Sequence, residues 1–134
     1  MKLSRFIYAG AAWLFVVGVI AQVFLAGLVV VARQTDWEGH IGLGHGLGLP
    51  LLVMLVAMYI AKLPASAKRL TWALFAVYFI QADVIIFMRD EFPFVSAFHP
   101  VLALIDFALG WLLARRSLEY VRETRGAVAT AAAD

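Results

Sequence analysis

Four long apolar stretches, separated by three short polar connections, set the pattern of the chain. The first runs over 6–32 and is interrupted only by Gly10, Gly18, Gln22 and Gly27. It is longer than the apolar core of a secretory signal and predicts a retained membrane span. Arg33 to Glu38 form a polar turn with Trp37 at the interface, and Thr35 and Glu38 have the spacing of a capping box. A second helix is predicted over 36–61, with Pro50 inside it as a kink that neighbours in a bundle can compensate. The basic turn KLPASAKR, broken by Pro64, leads into a third span over 66–88 that carries Gln81 and Asp83. Arg89, Asp90, Glu91 and Pro93 end it. Ser96 is the predicted N-cap of a fourth helix over 96–118, which carries His99, Pro100 and Asp106 and continues as a charged stub. Residues 127–134 read as a frayed tail, so 1–126 form one domain. The fold class is all-α: an integral membrane four-helix bundle.

Composition strengthens this reading and removes several functions. Hydrophobic residues make up 64% of the chain and charged residues 15%, whereas a soluble domain carries about 25% charged residues. No cysteine is present, which excludes disulfides, thiolate ligands, iron–sulfur clusters and thiol oxidation. Nine of the eleven basic residues (Lys2, Arg5, Lys62, Lys68, Arg69, Arg115, Arg116, Arg122 and Arg125) fall at one end of the predicted bundle. The positive-inside rule makes that end cytoplasmic, with both termini inside. Arg33 and Arg89 fall at the outer end with Asp36, Glu38, Asp90 and Glu91. The charge therefore reports topology, not nucleic-acid binding. The expected setting is a multi-pass protein of a bacterial inner membrane, with the lipid bilayer as first partner and homo-oligomerisation left open. The histidines have no serine or cysteine nucleophile beside them, which argues against a hydrolase. Too few polar groups are available to line a wide pore.

The chemistry concentrates in TDWEGHIGLGHGLGLP, residues 35–50, where His40 and His45 stand among five glycines. Each glycine inside a helix costs about 1 kcal/mol relative to alanine, so close approach of another group is expected at some of them. Shifting the chain by 59 positions places Trp13 on Trp72, Gln22 on Gln81 and His40 on His99, and brings Arg33 within three residues of Arg89. This predicts two repeated hairpins related by a pseudo-two-fold, with a site at their interface. If the second and fourth helices face each other, His40 and His99 approach across the bundle near its outer face. They then form a metal-ligating pair, the axial ligands of a haem b. Arg33 and Arg89 stand where they could meet two propionates, and Gly44 with its neighbours would let backbone approach the ring. The bland alternatives are a histidine bonded to a backbone carbonyl, and small-xxx-small packing of Gly42 with Gly46 and Gly44 with Gly48.

His45 lies five residues from His40, a rotation of roughly 140°. It either replaces His40 as the ligand or packs elsewhere. Gln22, Gln81, Asp83 and Asp106 are expected to form a buried polar layer deeper in the membrane. Asp106 follows His99 by seven residues, on the same face and ~10 Å below it. Ionisable groups at such depth are costly and mark a pathway or a buried pair. No lysine or arginine lies there, so at least one acid is expected in its neutral form. The alternative role is hydrogen bonding between helices.

The run QVFLAGLVV, followed by Trp37, His40 and a glycine-rich helix, resembles small bacterial four-span membrane proteins of unknown function. It is also distantly similar to one half of haem A synthase, over Gln22 to Leu55 and again from Gln81 to Leu113. That resemblance implies haem ligation by His40 and His99. The chain lacks a glutamate matching the one after the enzyme's second-helix histidine, and any cysteine pair, so haem-modifying activity is not implied. Two functions are expected from the residues. One is a b-type haem protein transferring electrons or handling haem, with a quinone or a redox partner protein. The other is a non-redox scaffold or accessory subunit whose histidines and aspartates serve packing, proton or metal-ion handling.

Overall fold

The computed structural model describes the backbone of residues 2–131 and the side chains of residues 3–123. Four helical rods make up the bundle, and no strand occurs among the described residues. The first rod is α1 (Lys2–Gly27), continued by a π-helical turn over Leu28–Ala32. The second is α2 (Glu38–Gly46) and α3 (Gly48–Ile60), separated at Leu47. The third is α4 (Ala65–Phe79), a π-helical turn over Ile80–Val84 and the short α5 (Ile85–Phe87). The fourth is a single turn α6 (Pro93–Ser96) followed by the long α7 (His99–Ala131). Each rod is long and apolar enough to cross a bilayer, over Leu3–Ala32, Glu38–Ile60, Ala65–Phe87 and Pro93–Glu123.

Each rod packs on the next in sequence, and the fourth closes the ring on the first. The second and fourth rods are therefore diagonal, as are the first and third. Short connections force this up-and-down order. At both ends of the first hairpin the turn begins with a non-glycine residue in left-handed conformation: Arg33 after the first rod and Lys62 after the second, each at φ 52°. At Lys62 the backbone N–H of Leu63 reaches back to the Met58 carbonyl at 3.0 Å, which satisfies a carbonyl that the helix end leaves open.

The buried core sits in the half of the bundle that holds the start of α1 and the Pro64 turn. Tyr8, Phe15, Val16, Leu51, Met54, Met58, Leu74 and Leu113 fill it, all essentially without exposure. Its few polar groups are paired. Thr71 donates to the Ala67 carbonyl at 2.9 Å and accepts the Tyr8 hydroxyl at 2.7 Å. Arg5 ties the start of α1 to α7 through the Tyr120 carbonyl at 3.0 Å and Glu123 at 3.3 Å.

Three helix signals expected from the sequence work differently. The second rod begins at Glu38, not at residue 36, and Thr35 does not cap it. Instead the Asp36 carboxylate accepts the Glu38 N–H at 3.0 Å, because an aspartate two residues upstream reaches the same orphan donor. Ser96 ends α6 by donating to the Pro93 carbonyl at 2.7 Å, and the long helix starts only at His99. Pro50 lies within α3, while the interruption falls three residues earlier at Leu47, as expected when a missing proline N–H loosens the turn before it.

Candidate functional site

At the other end of the bundle, His40 on α2 and His99 at the start of α7 come together across the diagonal. Their ring centroids are 6.2 Å apart and the ring planes meet at 58°. Both side chains are half-buried. His40 Nδ1 lies 3.1 Å from the Gln22 carbonyl oxygen, and His99 Nδ1 lies 3.1 Å from the Gln81 carbonyl oxygen. A carbonyl only accepts, so each Nδ1 carries the ring proton and each Nε2 keeps its lone pair. The two bonds span the same sequence separation, 18 residues. Each one joins a histidine to the helix preceding it, so the arrangement within the first hairpin is matched within the second. Trp37 packs edge-on against His40, with centroids 5.3 Å apart.

The supporting elements differ between the two hairpins. The Gln22 carbonyl belongs to regular α1, whereas the Gln81 carbonyl sits in the π-helical turn Ile80–Val84. Such turns are rare and concentrate at functional sites, because the extra residue re-aims the backbone. Gly44 stands close to α1 on the facing helix: a Cβ there would lie 2.6 Å from the Gln22 carboxamide nitrogen, the tip of a flexible side chain. Its close approach is thus to a side chain of α1. Gly48 likewise faces the Tyr78 hydroxyl, 3.2 Å from where its Cβ would be. The other pair, Gly42 and Gly46, has open space within 4 Å and packs on no helix of this bundle. The spacing Gly44 to Gly48 is therefore a packing seam, and Gly42 to Gly46 is not.

Tyr78 escaped the sequence reading. Its hydroxyl donates to the Gly44 carbonyl at 2.8 Å, with the His45 carbonyl 3.2 Å away. It thereby serves the carbonyls next to the break at Leu47. A tyrosine in an apolar run looks like core, and only the position of the break gives its hydroxyl a purpose.

The remaining expected site residues divide. His45 is exposed, and its Nδ1 bonds its own helix at the Ile41 carbonyl, 3.0 Å away. It points away from the histidine pair, as its rotation from His40 requires. Arg33 and Arg89 are both exposed at the end of the bundle, and Arg89 lies 3.4 Å from Asp90. Asp83 is corrected from the buried layer: it is exposed, because the π-helical turn carries it to the outside of the third rod. Gln22 and Gln81 are half-buried and serve the site through their backbone carbonyls. The Gln22 side-chain oxygen is buried without a hydrogen-bond partner. Asp106 is 1% exposed, and neither of its oxygens has a partner among the described residues.

Two imidazoles bound on opposite sides of one metal at about 2.0–2.1 Å per bond, with a ring radius added on each side, have centroids about 6 Å apart. The observed 6.2 Å meets that requirement. A second requirement is that the non-ligating nitrogen of each ring be tied to an acceptor that fixes its tautomer, and both carbonyls do this. Among the described residues no group of three or more His, Cys, Asp or Glu side chains is placed to hold a metal ion. The pair by itself offers two nitrogen donors.

A family of unknown function (DUF6220) matches the chain over residues 22–85, a stretch that takes in Gln22, His40, Gly44 and Gln81 and ends before His99. No curated protein and no solved structure matches the chain.

Proposed function

We propose that this chain is a multi-pass protein of a bacterial inner membrane that holds one b-type haem between His40 and His99 near the outer face. It would transfer electrons or handle haem, with a quinone or a redox partner protein exchanging the electron. The observation that supports this best is the histidine pair itself. Its 6.2 Å spacing and the two Nδ1-to-carbonyl bonds leave two Nε2 lone pairs for a central atom. A porphyrin brings four donors of its own, so two protein ligands complete its iron, whereas a bare zinc ion needs three or four.

His40 and His99 would ligate, and the haem when bound would supply one-electron exchange. The chain's own residues fix the rings through the Gln22 and Gln81 carbonyls and keep Trp37 against His40. Arg33 and Arg89, at the same end of the bundle, carry the charge that suits propionates. The equal 18-residue spacing supports duplicated hairpins, and the end-to-end division of basic residues supports cytoplasmic termini. The sequence resemblance to one half of haem A synthase points the same way for the ligands.

A second reading rests on the same bonds. Each histidine joins two helices, so the pair also suits a non-redox scaffold or accessory subunit, in which these rings serve packing. Colour separates the two. Purified protein supplied with haem should show a Soret band that sharpens on reduction as a low-spin form, and should lose it in His40→Ala and His99→Ala. A folded, colourless protein that takes up no added haem supports the scaffold and ends the haem reading.

A further inference from the structure

Asp106 is the most demanding residue in the molecule. Its carboxyl is 1% exposed, and both oxygens lack a hydrogen-bonding partner among the described residues. A buried acid without a donor or a counter-charge is expensive in any protein and more so within a bilayer. In native structures such a group marks strain, a functional role, or a bound water or ion that pairs it.

Its position suggests which function. Asp106 follows His99 by seven residues on α7, hence on the same face and about 10 Å further in along the helix. α7 packs on α1 and α4, and neither brings a cation to this depth, because no lysine or arginine lies between 6 and 32 or between 70 and 88. From α1 comes Gln22, whose buried side-chain oxygen is another acceptor without a partner among the described residues. From α4 and its π-helical turn come Tyr78, committed to the Gly44 carbonyl, and Asp83, which is exposed. From the second rod come His40, at the pair, and His45, which is exposed and bonded to its own helix. On α7 itself there is His99. None of these is a fixed positive charge.

We propose that Asp106 is a proton-binding site coupled to the electron held between His40 and His99. This rests on the haem reading above. A porphyrin dianion and two neutral imidazoles leave an oxidised iron one net positive charge and a reduced iron none. The Asp106 carboxylate balances the first state and the neutral acid matches the second. An electron arrives from a one-electron donor outside the chain, and a proton from water converts the carboxylate to the acid. Both leave on re-oxidation, so the buried charge sums to zero in each state. Two unit charges about 10 Å apart at an effective dielectric constant of about 20 change the proton affinity by roughly tenfold. At 59 mV per tenfold for a one-electron couple, the midpoint potential falls by about 60 mV across the range in which Asp106 titrates.

The test is a spectroelectrochemical titration of the haem-loaded full chain in detergent, from mildly acidic to mildly alkaline pH. The wild type should show that fall. Asp106→Asn should keep the Soret band and lose the pH dependence, while Asp83→Asn should keep both. Should Asp106→Asn not fold, the wild type and Asp106→Glu are compared by reduced-minus-oxidised infrared difference, in which a band of residue 106 moves with the substitution and a band of the haem propionates does not. A protonated-acid carbonyl band should appear on reduction and shift down in heavy water. A coloured protein whose potential is flat with pH, a dependence retained in Asp106→Asn, or an absent acid band overturns the proposal and leaves the haem reading intact. A protein that binds no haem overturns both.

Discussion

The two ends of the bundle are built on opposite terms. At the end holding the start of α1 and the Pro64 turn, side chains from all four rods interlock around Tyr8, Phe15, Leu51, Met54, Met58 and Leu113 with essentially no exposure, and Tyr8 and Thr71 there are paired. At the histidine end, α2, α6 and both π-helical turns contribute no buried residue at all. Asp106 and the Gln22 side-chain oxygen are nevertheless buried there without partners among the described residues. One end thus supplies the stability, and the other spends part of it on polar groups and irregular backbone. Local opening is expected to be easiest where buried apolar contact is scarce, so the histidine end can change its contents without unfolding the other.

This contrast can be broken most directly by exchanging damage between the ends. His99→Ala should abolish the low-spin haem spectrum while shifting the unfolding midpoint of the haem-free protein only slightly. Leu51→Ala, in the packed end, should cost about 2–5 kcal/mol and leave the Soret band of the surviving folded fraction in place. Spectra and detergent-denaturation curves measured on both variants check this. A large loss of stability in haem-free His99→Ala would show that the rings are structural and that the ends are not distinct.

A smaller effect separates the two glycine pairs. Gly44→Ala brings a methyl to 2.6 Å from the Gln22 carboxamide nitrogen, the tip of a flexible side chain that can turn aside, and should destabilise by about 1–2 kcal/mol, the lower part of the range for an overpacked contact. It should also weaken haem uptake, because the Gln22 carbonyl positions His40. Gly42→Ala enters open space and should be neutral or stabilising by up to about 1 kcal/mol from helix propensity. Parallel haem titrations and melts of the pair compare them, and equal effects would remove Gly44 from the site. Smallest is Tyr78→Phe, which removes the donor to the Gly44 carbonyl and should cost about 0.5–1.5 kcal/mol. Faster hydrogen exchange confined to residues near Leu47 is the expected signature. Exchange spread over α1 and α7 as well would place Tyr78 with the packed core.

The four rods were legible in the sequence, because apolar runs of bilayer length admit only helices, and the meeting of His40 with His99 followed on the condition that the second and fourth rods face each other. The residues aligned by the shift of 59, Gln22 with Gln81 and His40 with His99, take part in two hydrogen bonds of equal sequence separation. The part played by those glutamines was not legible. Their names drew attention to side chains, and it is their backbone carbonyls that hold the rings. Asp83 was misplaced for a related reason: a π-helical turn adds a residue to the cycle and rotates everything after it, and no residue type announces such a turn.

The sequence alone determined where the rods lie, which end carries the positive charge, and that His40 and His45 are rotated apart so that a regular helix cannot turn both to one centre. These follow from hydropathy and from helical rotation, which act over a few neighbouring residues. Only the tertiary structure decided that His45 faces outward, that Gly44 rather than Gly42 sits at a helix contact, that Tyr78 serves the broken turn, and that Asp106 is enclosed without a partner. Each of those outcomes depends on the azimuth of one rod against another. Packing sets that angle, and the order of residues along a single helix does not encode it.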